Sequence, residues 1–410
     1  MKGPYANLKV LDLSHVIAGP FCARLLADMG AEVVRIEPRT GDLMRTFPVQ
    51  YGETLSSAYA QYNCGKASMV VDLKTAEGRQ IALDLVSQSD IVIENLSPGT
   101  FERLGLGYDV LRQVRSDIIL CSLSTFGATG PYRELSGYGL VAEAYSGLMS
   151  LTGDAGGPPM HFGTPLADMN SAVHALAAIG AALYRRSVTG EGTHIDLSSF
   201  DALFSMIDQA VALASFSHGE RSFGRYGTTH PTSVPSAVVG AADGRYVSYT
   251  AIGDKLFAAL AEEMGRPELV NDPRFAKFVD RIANKDALYE LIRVWACSVA
   301  TADELVARLT ARGISAAKVR TVEENLQDPH LLERGTLQPM QVPGVGEVAV
   351  QVAPYRMTGC RIAAGSLPAE LGADTRRILR ERLGRGETEI SNLVARGIIM
   401  ARDSEGSSGE

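Results

Sequence analysis

The sequence has few cysteines, no excess of basic residues and no long hydrophobic run. Its five cysteines are scattered and never form a CxxC pair, so neither a zinc site nor a disulfide framework is indicated. With 39 Lys and Arg against 47 Asp and Glu, the formal charge of −8 argues against a nucleic-acid partner. Apolar runs such as residues 118–121 are far shorter than the roughly 20 residues that cross a bilayer. The first residues contain no hydrophobic signal core, so we expect a cytoplasmic protein without a membrane partner.

Short motifs of several enzyme classes are also absent. A GxSxG elbow, a Walker phosphate loop, a GxGxxG fingerprint and the HExxH spacing do not occur. Hydrolase, ATPase and ordinary dehydrogenase functions are therefore disfavoured. What the chain does have is length and apolar content. Its 410 residues, 46% of them hydrophobic, predict about two or three globular domains with a sizeable core.

The first 130 residues alternate strand and helix patterns. Ser97 followed by Pro98 is typical of an N-cap with proline at the first helical position. Such alternation predicts right-handed βαβ crossovers and a parallel sheet of the α/β class. The predicted strands are residues 8–13, 32–37, 90–95 and 117–124. Ligands of such sheets bind beyond the carboxyl ends of the strands, which here are followed by loops at residues 14–20, 95–99 and 124–130.

The remainder of the chain predicts a long helix and a second unit. Apolar positions at helical spacing indicate a helix over 169–186. Residues 226–326 have the pattern of a smaller α+β unit, in which Thr301 and Glu304 form a capping box. A hairpin and two helices follow. The tail at 403–410 is polar and rich in glycine and serine, and is expected to be disordered.

Asp168 is the most suggestive ionisable residue, because it lies immediately before the long apolar helix. Unpaired amides at a helix start stabilise a carboxylate and keep it ionised. Two interpretations are open at this point. Asp168 is either an N-cap, the commonest role of aspartate there, or a nucleophilic carboxylate at the mouth of a sheet.

Other residues are candidates for contact with an anionic ligand, and each has a structural alternative. His15 follows the first strand, and His230 precedes a proline in a turn-rich loop. Glu143 lies among apolar residues and is either a ligand-side carboxylate or a structural acid. Isolated basic residues are mostly solvated surface, but those near strand ends can neutralise phosphates: Arg39, Lys74 and Arg103. The residues alone therefore indicate an α/β enzyme with a site for an anionic ligand.

Five segments occur in a fixed order: LKVLDLSHVIAGPFCARLLADMGAEVVRIEP, GKASMVVDLKTAEGR, IVIENLSPGTFERLGLGYD, GPYRELSGYGLVAEAYSGLMSLTG and TGEGTHIDLSSFDAL. Together they closely resemble the family III CoA-transferases, the group of the carnitine-CoA-transferases and formyl-CoA-transferases. The likeness runs from about Leu8 to Ile314.

The resemblance implies a Rossmann-like large domain, whose parallel sheet is built from both chain ends, and a smaller α+β domain. It also implies two subunits that interlock as a homodimer, with the active site where large and small domains meet. The domain boundaries expected on this basis are 1–215 for the N-terminal part of the large domain, 226–326 for the small domain, 330–402 for the C-terminal segment that returns to the large domain, and 403–410 for the disordered tail.

The resemblance also implies a site and a mechanism. Asp168, in ADMNS, falls where the family places its catalytic aspartate. Its carboxylate would carry CoA from an acyl-CoA to an acid through an aspartyl anhydride and an aspartyl-CoA thioester. CoA is then part of the substrate, and no permanently bound cofactor or metal is implied. The CoA contacts carry over to Val16, Ala18, Arg39, Leu73, Asn95, Leu96 and Arg103.

One departure from the family bears on the substrate. The tetraglycine loop of the formyl-CoA enzymes has no counterpart between Arg225 and Tyr249, which disfavours formyl and oxalate substrates. Small dicarboxylic acids such as succinate, malate, citramalate, mesaconate or itaconate are expected instead. Candidates for contact with such a substrate are Arg45, Glu143, Arg225 and His230.

Two alternatives accompany this interpretation. An α-methylacyl-CoA racemase shares the fold, but its catalytic histidine falls in the segment that reads SGYGLVAEAYSG here, with Tyr138 and Gly139 and no histidine. A non-catalytic CoA-binding protein would explain the phosphate-site residues but not Asp168.

Overall fold

The computed structural model describes residues 1–402, so the prediction of a disordered tail at 403–410 lies outside the described residues. From the N-terminus the elements are β1 (Lys9–Asp12), α1 (Ala18–Asp28), β2 (Glu32–Glu37), β3 (Gln50–Tyr51), β4 (Leu55–Ser56), α2 (Ser57–Asn63), β5 (Lys66–Val71), α3 (Ala76–Val86), β6 (Ile91–Glu94), α4 (Thr100–Arg103), α5 (Tyr108–Val114), β7 (Ile119–Ser124), α6 (Gly139–Tyr145), α7 (Leu148–Leu151), α8 (Leu166–Thr189), β8 (Thr193–Ser198) and α9 (Ser199–Phe204). They continue as α10 (Asp208–Phe216), β9 (Ser236–Gly240), β10 (Tyr246–Thr250), α11 (Asp254–Glu263), α12 (Phe278–Ala283), α13 (Lys285–Ala296), α14 (Ala302–Ala311), β11 (Ser315–Lys318), α15 (Val322–Leu326), α16 (Pro329–Glu333), β12 (Leu337–Val342), β13 (Gly346–Gln351), α17 (Thr375–Leu383), α18 (Glu387–Ala395) and β14 (Ile399–Met400).

The chain divides into two compact units. The first contains Met1–Ser146, Gly163–Met206 and the chain from Leu326 onward, and the second contains Gly147–Phe162 and Ile207–Asn325. This division differs from the expected one, which began the small domain at residue 226 and left 147–162 in the large one. Hydrogen bonds explain the difference. The Gly227 amide donates to the Gly153 carbonyl at 2.9 Å, and the Arg225 guanidinium donates to the Gly157 carbonyl at 2.5 Å.

The first unit is organised around a seven-stranded sheet with the order β14-β5-β2-β1-β6-β7-β8. All neighbouring strands are parallel except β14, which pairs antiparallel with β5 at the edge. The predicted α/β class with a parallel-dominated sheet is therefore confirmed. From β1 the chain winds outward through β2 and β5, and then returns to the other side of β1 with β6. The winding direction therefore changes between β1 and β6.

Helices cover both faces of this sheet, so apolar residues of its central strands are buried on both sides. One face packs against α1 and α8 through residues such as Leu26 and Ile179. The other face packs against α3, α5, α17 and α18, with Leu85, Leu111 and Ile378 fully buried. Among residues 1–402, α8 is long and apolar enough to cross a membrane, yet most of its buried residues belong to this core.

The sequence located strands β1, β2, β6 and β7 but misplaced one helix start. Strand β2 has the predicted bounds, while the helix expected at Ser97 and Pro98 begins two residues later, at Thr100. The Thr100 amide donates to the Ser97 carbonyl at 3.0 Å, so residues 97–100 first form a turn. Gly99 is the N-cap and adopts φ +74°, a conformation that glycine allows at little cost.

The second unit contains a three-stranded antiparallel sheet with the order β11-β10-β9. Helices α11, α13 and α14 pack on it through buried residues such as Phe257, Leu288 and Leu305. The predicted cap at Thr301 is present, because its hydroxyl accepts from the Glu304 amide at 3.1 Å.

Candidate active site

The loops that follow β1 and β6 meet where the winding direction of the sheet changes. Asn95 joins them, because its Oδ1 accepts from the His15 amide at 2.7 Å and its Nδ2 donates to the His15 carbonyl at 2.8 Å. Ligands of open α/β sheets bind in the crevice at such a point. The predicted CoA contacts that lie in these two loops are Val16, Ala18, Asn95 and Leu96.

Helix α1 begins in the first of these loops. The backbone amides of its first two residues, Ala18 and Gly19, have no partner within the helix and can donate hydrogen bonds to an anion such as a phosphate. Gly19 packs so tightly on Ser14 that a Cβ at residue 19 would overlap the serine side chain. The first turn of α1 therefore lies directly against the start of the loop that follows β1.

Three further predicted CoA contacts lie along the same edge. Arg103, in α4, is exposed and donates to Thr100 Oγ1 at 2.6 Å. Arg39 follows β2, where its guanidinium lies beside Gly397, and Leu73 follows β5. Strands β5, β2, β1 and β6 are neighbours, so these residues span roughly 14 Å at about 4.8 Å per strand. That edge suits an extended anionic ligand.

Asp168 lies inside helix α8 and not before it. The helix begins at Leu166 with Pro165 at the N-cap position, so Asp168 is its third residue. The N-cap interpretation is therefore wrong, because a proline already occupies that position and no side chain caps the helix. Burial, and secondarily the charge of Glu143, raises the pKa of Asp168 to about 6, although its own backbone amide acts in the opposite direction.

Helix α6 brings a glycine against this carboxylate. A Cβ at Gly139 would overlap Asp168 Oδ2 and lie 3.3 Å from Cγ, so only glycine fits there without a shift. Glu143 follows one turn later and is 3% exposed. The sequence offered no local signal for Gly139, since its importance arises from a contact with a residue 29 positions away.

Tyr62, at the end of α2, is a second residue that sequence reasoning missed. Burial, and then the charge of Asp168, raises the pKa of its phenol. The ring packs edge-on against Phe21, with 6.2 Å between centroids. The phenol thus stays protonated within electrostatic reach of Asp168 and is available as a hydrogen-bond donor.

Arg45, predicted as a candidate for substrate contact, is buried among structural partners. It is 4% exposed, pairs with Glu37 at 2.6 Å and lies 3.8 Å from the centroid of the Tyr59 ring. A buried guanidinium that is paired with a carboxylate and stacked on an aromatic ring has a structural role. Sequence could not reveal this, because the three side chains come from separate elements.

Two candidates for substrate contact, Arg225 and His230, lie in the second unit and form hydrogen bonds to the backbone of loops. Arg225 Nη2 donates to the Gly157 carbonyl, as described above. His230 Nδ1 accepts from the Ser233 amide at 2.9 Å. Their role in substrate contact stays a prediction.

Residues 5–375 match the sequence profile described as CoA-transferase family III. The chain belongs to this family. Among similar members is the succinyl-CoA–D-citramalate CoA-transferase of Chloroflexus aurantiacus, 33% identical over 97% of this chain and 98% of that protein. Another is the succinyl-CoA:mesaconate CoA-transferase of Haloarcula hispanica, 36% identical over 87% and 90%.

A solved structure places this CoA-transferase in the same fold. A CAIB/BAIF family protein from Brucella suis superimposes with a TM-score of 0.83 and 32% identity over 93% of this chain and 100% of that one.

The residue against the Asp168 carboxylate is Gly139, which carries no titratable group. The second base of the racemase alternative is therefore absent at that position.

Proposed function

We propose that this family III CoA-transferase moves CoA from succinyl-CoA to a small dicarboxylic acid of the citramalate or mesaconate type. The observation that carries the proposal is the half-buried carboxylate of Asp168 in the first turn of α8, which lies against Gly139 of α6. The names of the two similar transferases support the donor and the acceptor class.

The chemistry begins with the ionised carboxylate. Because the pKa of Asp168 is about 6, the group is mostly ionised at neutral pH and remains more basic than an exposed aspartate. Its oxygen attacks the thioester carbonyl of succinyl-CoA, the C–S bond breaks, and a mixed anhydride and the CoA thiolate form. The thiolate then attacks the aspartyl carbonyl, and the C–O bond of the anhydride breaks. This step releases succinate and leaves an aspartyl-CoA thioester.

The second half repeats these steps with the acceptor. An acceptor carboxylate attacks the aspartyl thioester and expels the thiolate, which then attacks the acceptor carbonyl. The new acyl-CoA leaves and the Asp168 carboxylate is restored. Anhydrides hydrolyse readily, so the burial that raises the pKa of Asp168 also protects the intermediate by excluding water.

The CoA moiety is proposed to lie along the strand ends. The loops of Val16, Ala18, Asn95 and Leu96 surround the crevice at β1 and β6, and the backbone amides of Ala18 and Gly19 at the start of α1 donate to a phosphate oxygen. The exposed guanidinium groups of Arg39 and Arg103 neutralise further phosphate charge. CoA enters and leaves as substrate.

The direct test is to trap the acylated aspartate. Wild-type protein incubated with succinyl-CoA and then hydroxylamine is expected to carry a hydroxamate at Asp168, detected by peptide mass spectrometry. Asp168→Asn and Asp168→Ser remove the nucleophile, cost the helix at most about 1 kcal/mol, and are expected to lose transfer by orders of magnitude. A hydroxamate at Glu143, or substantial transfer by Asp168→Asn without deamidation, would overturn the assignment.

The acceptor is tested separately. Wild-type protein, succinyl-CoA and a panel of mono- and dicarboxylic acids are incubated, and the acyl-CoA products are measured by mass spectrometry. Products from citramalate, mesaconate or related acids are expected. Transfer confined to long, branched or aromatic acids would contradict the substrate class while leaving the CoA-transferase chemistry intact.

We further propose that two copies interlock as a homodimer in the cytoplasm. The support is that the segments of the first unit come before, between and after those of the second. Interlocked chains do not separate on dilution without unfolding a linker. A monomer in analytical ultracentrifugation of the native protein would refute this assembly.

A further inference from the structure

The loop between β1 and α1 holds a branched residue in the left-handed region. Val16 has φ +65°, a conformation that L-residues disfavour and that is a genuine outlier for a β-branched side chain. Its side chain packs against the apolar cluster of Met44, Leu55 and Tyr59. Conformations of this kind persist only where the surroundings hold them, and they concentrate at functional sites.

Asp42 supplies a fixed acceptor for this residue. Its Oδ2 accepts from the Val16 amide at 2.9 Å, and its Oδ1 accepts from the Met44 amide at 2.7 Å. The guanidinium of Arg35 donates to the same Oδ2. Asp42 is 4% exposed and Arg35 is 1% exposed, so neither group exchanges its partner for water.

The anchoring extends over three consecutive amides. The Ser14 amide donates to Asp12 at 3.0 Å, the His15 amide to Asn95 at 2.7 Å, and the Val16 amide to Asp42. The acceptors come from β1, from the end of β6 and from the segment after β2. The chain enters α1 two residues after Val16, so the conformation of Val16 sets where the first amides of that helix lie.

We propose that Asp42 is a positioning residue for CoA, which acts by holding Val16 in the left-handed conformation that presents the start of α1 to the crevice. This inference rests on the proposed function. Without the carboxylate, Val16 relaxes to extended backbone and must be forced back on binding. The expected loss of CoA affinity is a factor of about 5 to 30, which corresponds to the free-energy cost of placing one L-residue in the left-handed conformation.

A purely structural role for Asp42 predicts a different change in CoA affinity. A substitution at residue 16 distinguishes that role from the positioning role. Glycine adopts positive φ without penalty. Removing Asp42 is therefore expected to cost CoA affinity about 5- to 30-fold when residue 16 is valine, and at most about threefold when it is glycine. A residue that only neutralises Arg35 and caps Met44 costs the same in both backgrounds, because neither contact involves the Val16 backbone.

The experiment is a double-mutant cycle on the full chain. CoA affinity is measured by calorimetry for wild type, Asp42→Ser, Val16→Gly and the double variant, with KM and kcat for succinyl-CoA. Serine still caps the Met44 amide but is too short to reach Val16. The KM of Asp42→Ser is expected to rise while kcat stays within about twofold, since Asp168 is untouched. Asp42→Asn keeps an oxygen for the Val16 amide and is expected to restore affinity to within about threefold.

Two further variants guard the interpretation. Asp28→Asn disrupts another buried ion pair, between Asp28 and Arg24 at 2.6 Å, which lies at the far end of α1. It is expected to lower stability and leave CoA affinity unchanged. If Asp42→Ser does not fold, Asp42→Glu replaces it, because glutamate keeps a charge for Arg35 while its extra methylene displaces the carboxylate from the Val16 amide.

Equal costs in the valine and glycine backgrounds, or no cost in either, would overturn the inference alone. Absence of CoA binding by the wild-type protein would overturn the proposed function and this inference together. A cost that disappears when residue 16 is glycine supports the positioning role.

Discussion

Replacing Gly139 by alanine tests the geometry around the carboxylate of Asp168. The Cβ of alanine would come closer than 3.0 Å to Oδ2, a separation that real Cβ atoms do not show, and would lie 3.4 Å from the Ala167 Cβ. Ala167 is fully buried at the start of α8 and does not yield space. The carboxylate must therefore move.

The magnitude follows from the size of this shift. A displacement of roughly half an ångström or more turns the nucleophilic oxygen away from its line of attack, and errors near 1 Å cost about 100-fold in rate. We therefore expect kcat to fall by about 100-fold, equivalent to about 2.7 kcal/mol of barrier. Stability should not fall, because alanine in a helix is favoured over glycine by up to about 1 kcal/mol.

The assay compares kcat, thermal unfolding and hydroxylamine trapping for wild type and Gly139→Ala. Gly180→Ala is the matched control, since this glycine lies on the same helix as Asp168 and its Cβ would meet only the Tyr5 hydroxyl at 3.7 Å. The control is expected to keep its activity and gain a little stability. If Gly139→Ala retains kcat within about threefold, the proposed arrangement of α6 and Asp168 is refuted.

Two further predictions concern pH. Glu143→Gln removes a charge that raises the pKa of Asp168, so the acidic limb of the kcat/KM profile should move to lower pH; an unmoved limb would contradict the coupling. Burial raises the pKa of Glu94 from 4.5 to about 7, so between these values the folded chain keeps a proton that the unfolded chain loses, and stability falls as pH rises. Glu94→Gln keeps an oxygen for the Leu96 amide. In urea unfolding this variant should be more stable than wild type by up to about 3 kcal/mol at pH 8, and should gain no stability at pH 4. An equal difference at both pH values would contradict this prediction.

Local sequence determined four strands of the large sheet, β1, β2, β6 and β7, and the order of the segments typical of the family. Strand β2 coincides with its predicted range, and the cap of α14 at Thr301 formed as expected. These features depend on side-chain periodicity and on hydrogen bonds between residues three or four apart, which a sequence displays directly. The parallel sheet follows from the same pattern, because alternating strands and helices allow few other arrangements.

Tertiary structure decided which residues surround the candidate nucleophile. Gly139, in α6, lies against the Asp168 carboxylate, and Tyr62, in α2, is within its electrostatic reach. Arg45 pairs with Glu37 in the buried interior. The bond from Val16 to Asp42 likewise joins residues 26 positions apart. No local pattern encodes such contacts, because they arise only when separate elements pack against each other and bury their polar groups together. The physical reason is that burial and packing, which set the pKa of Asp168 and the fate of each charge, are properties of the assembled core.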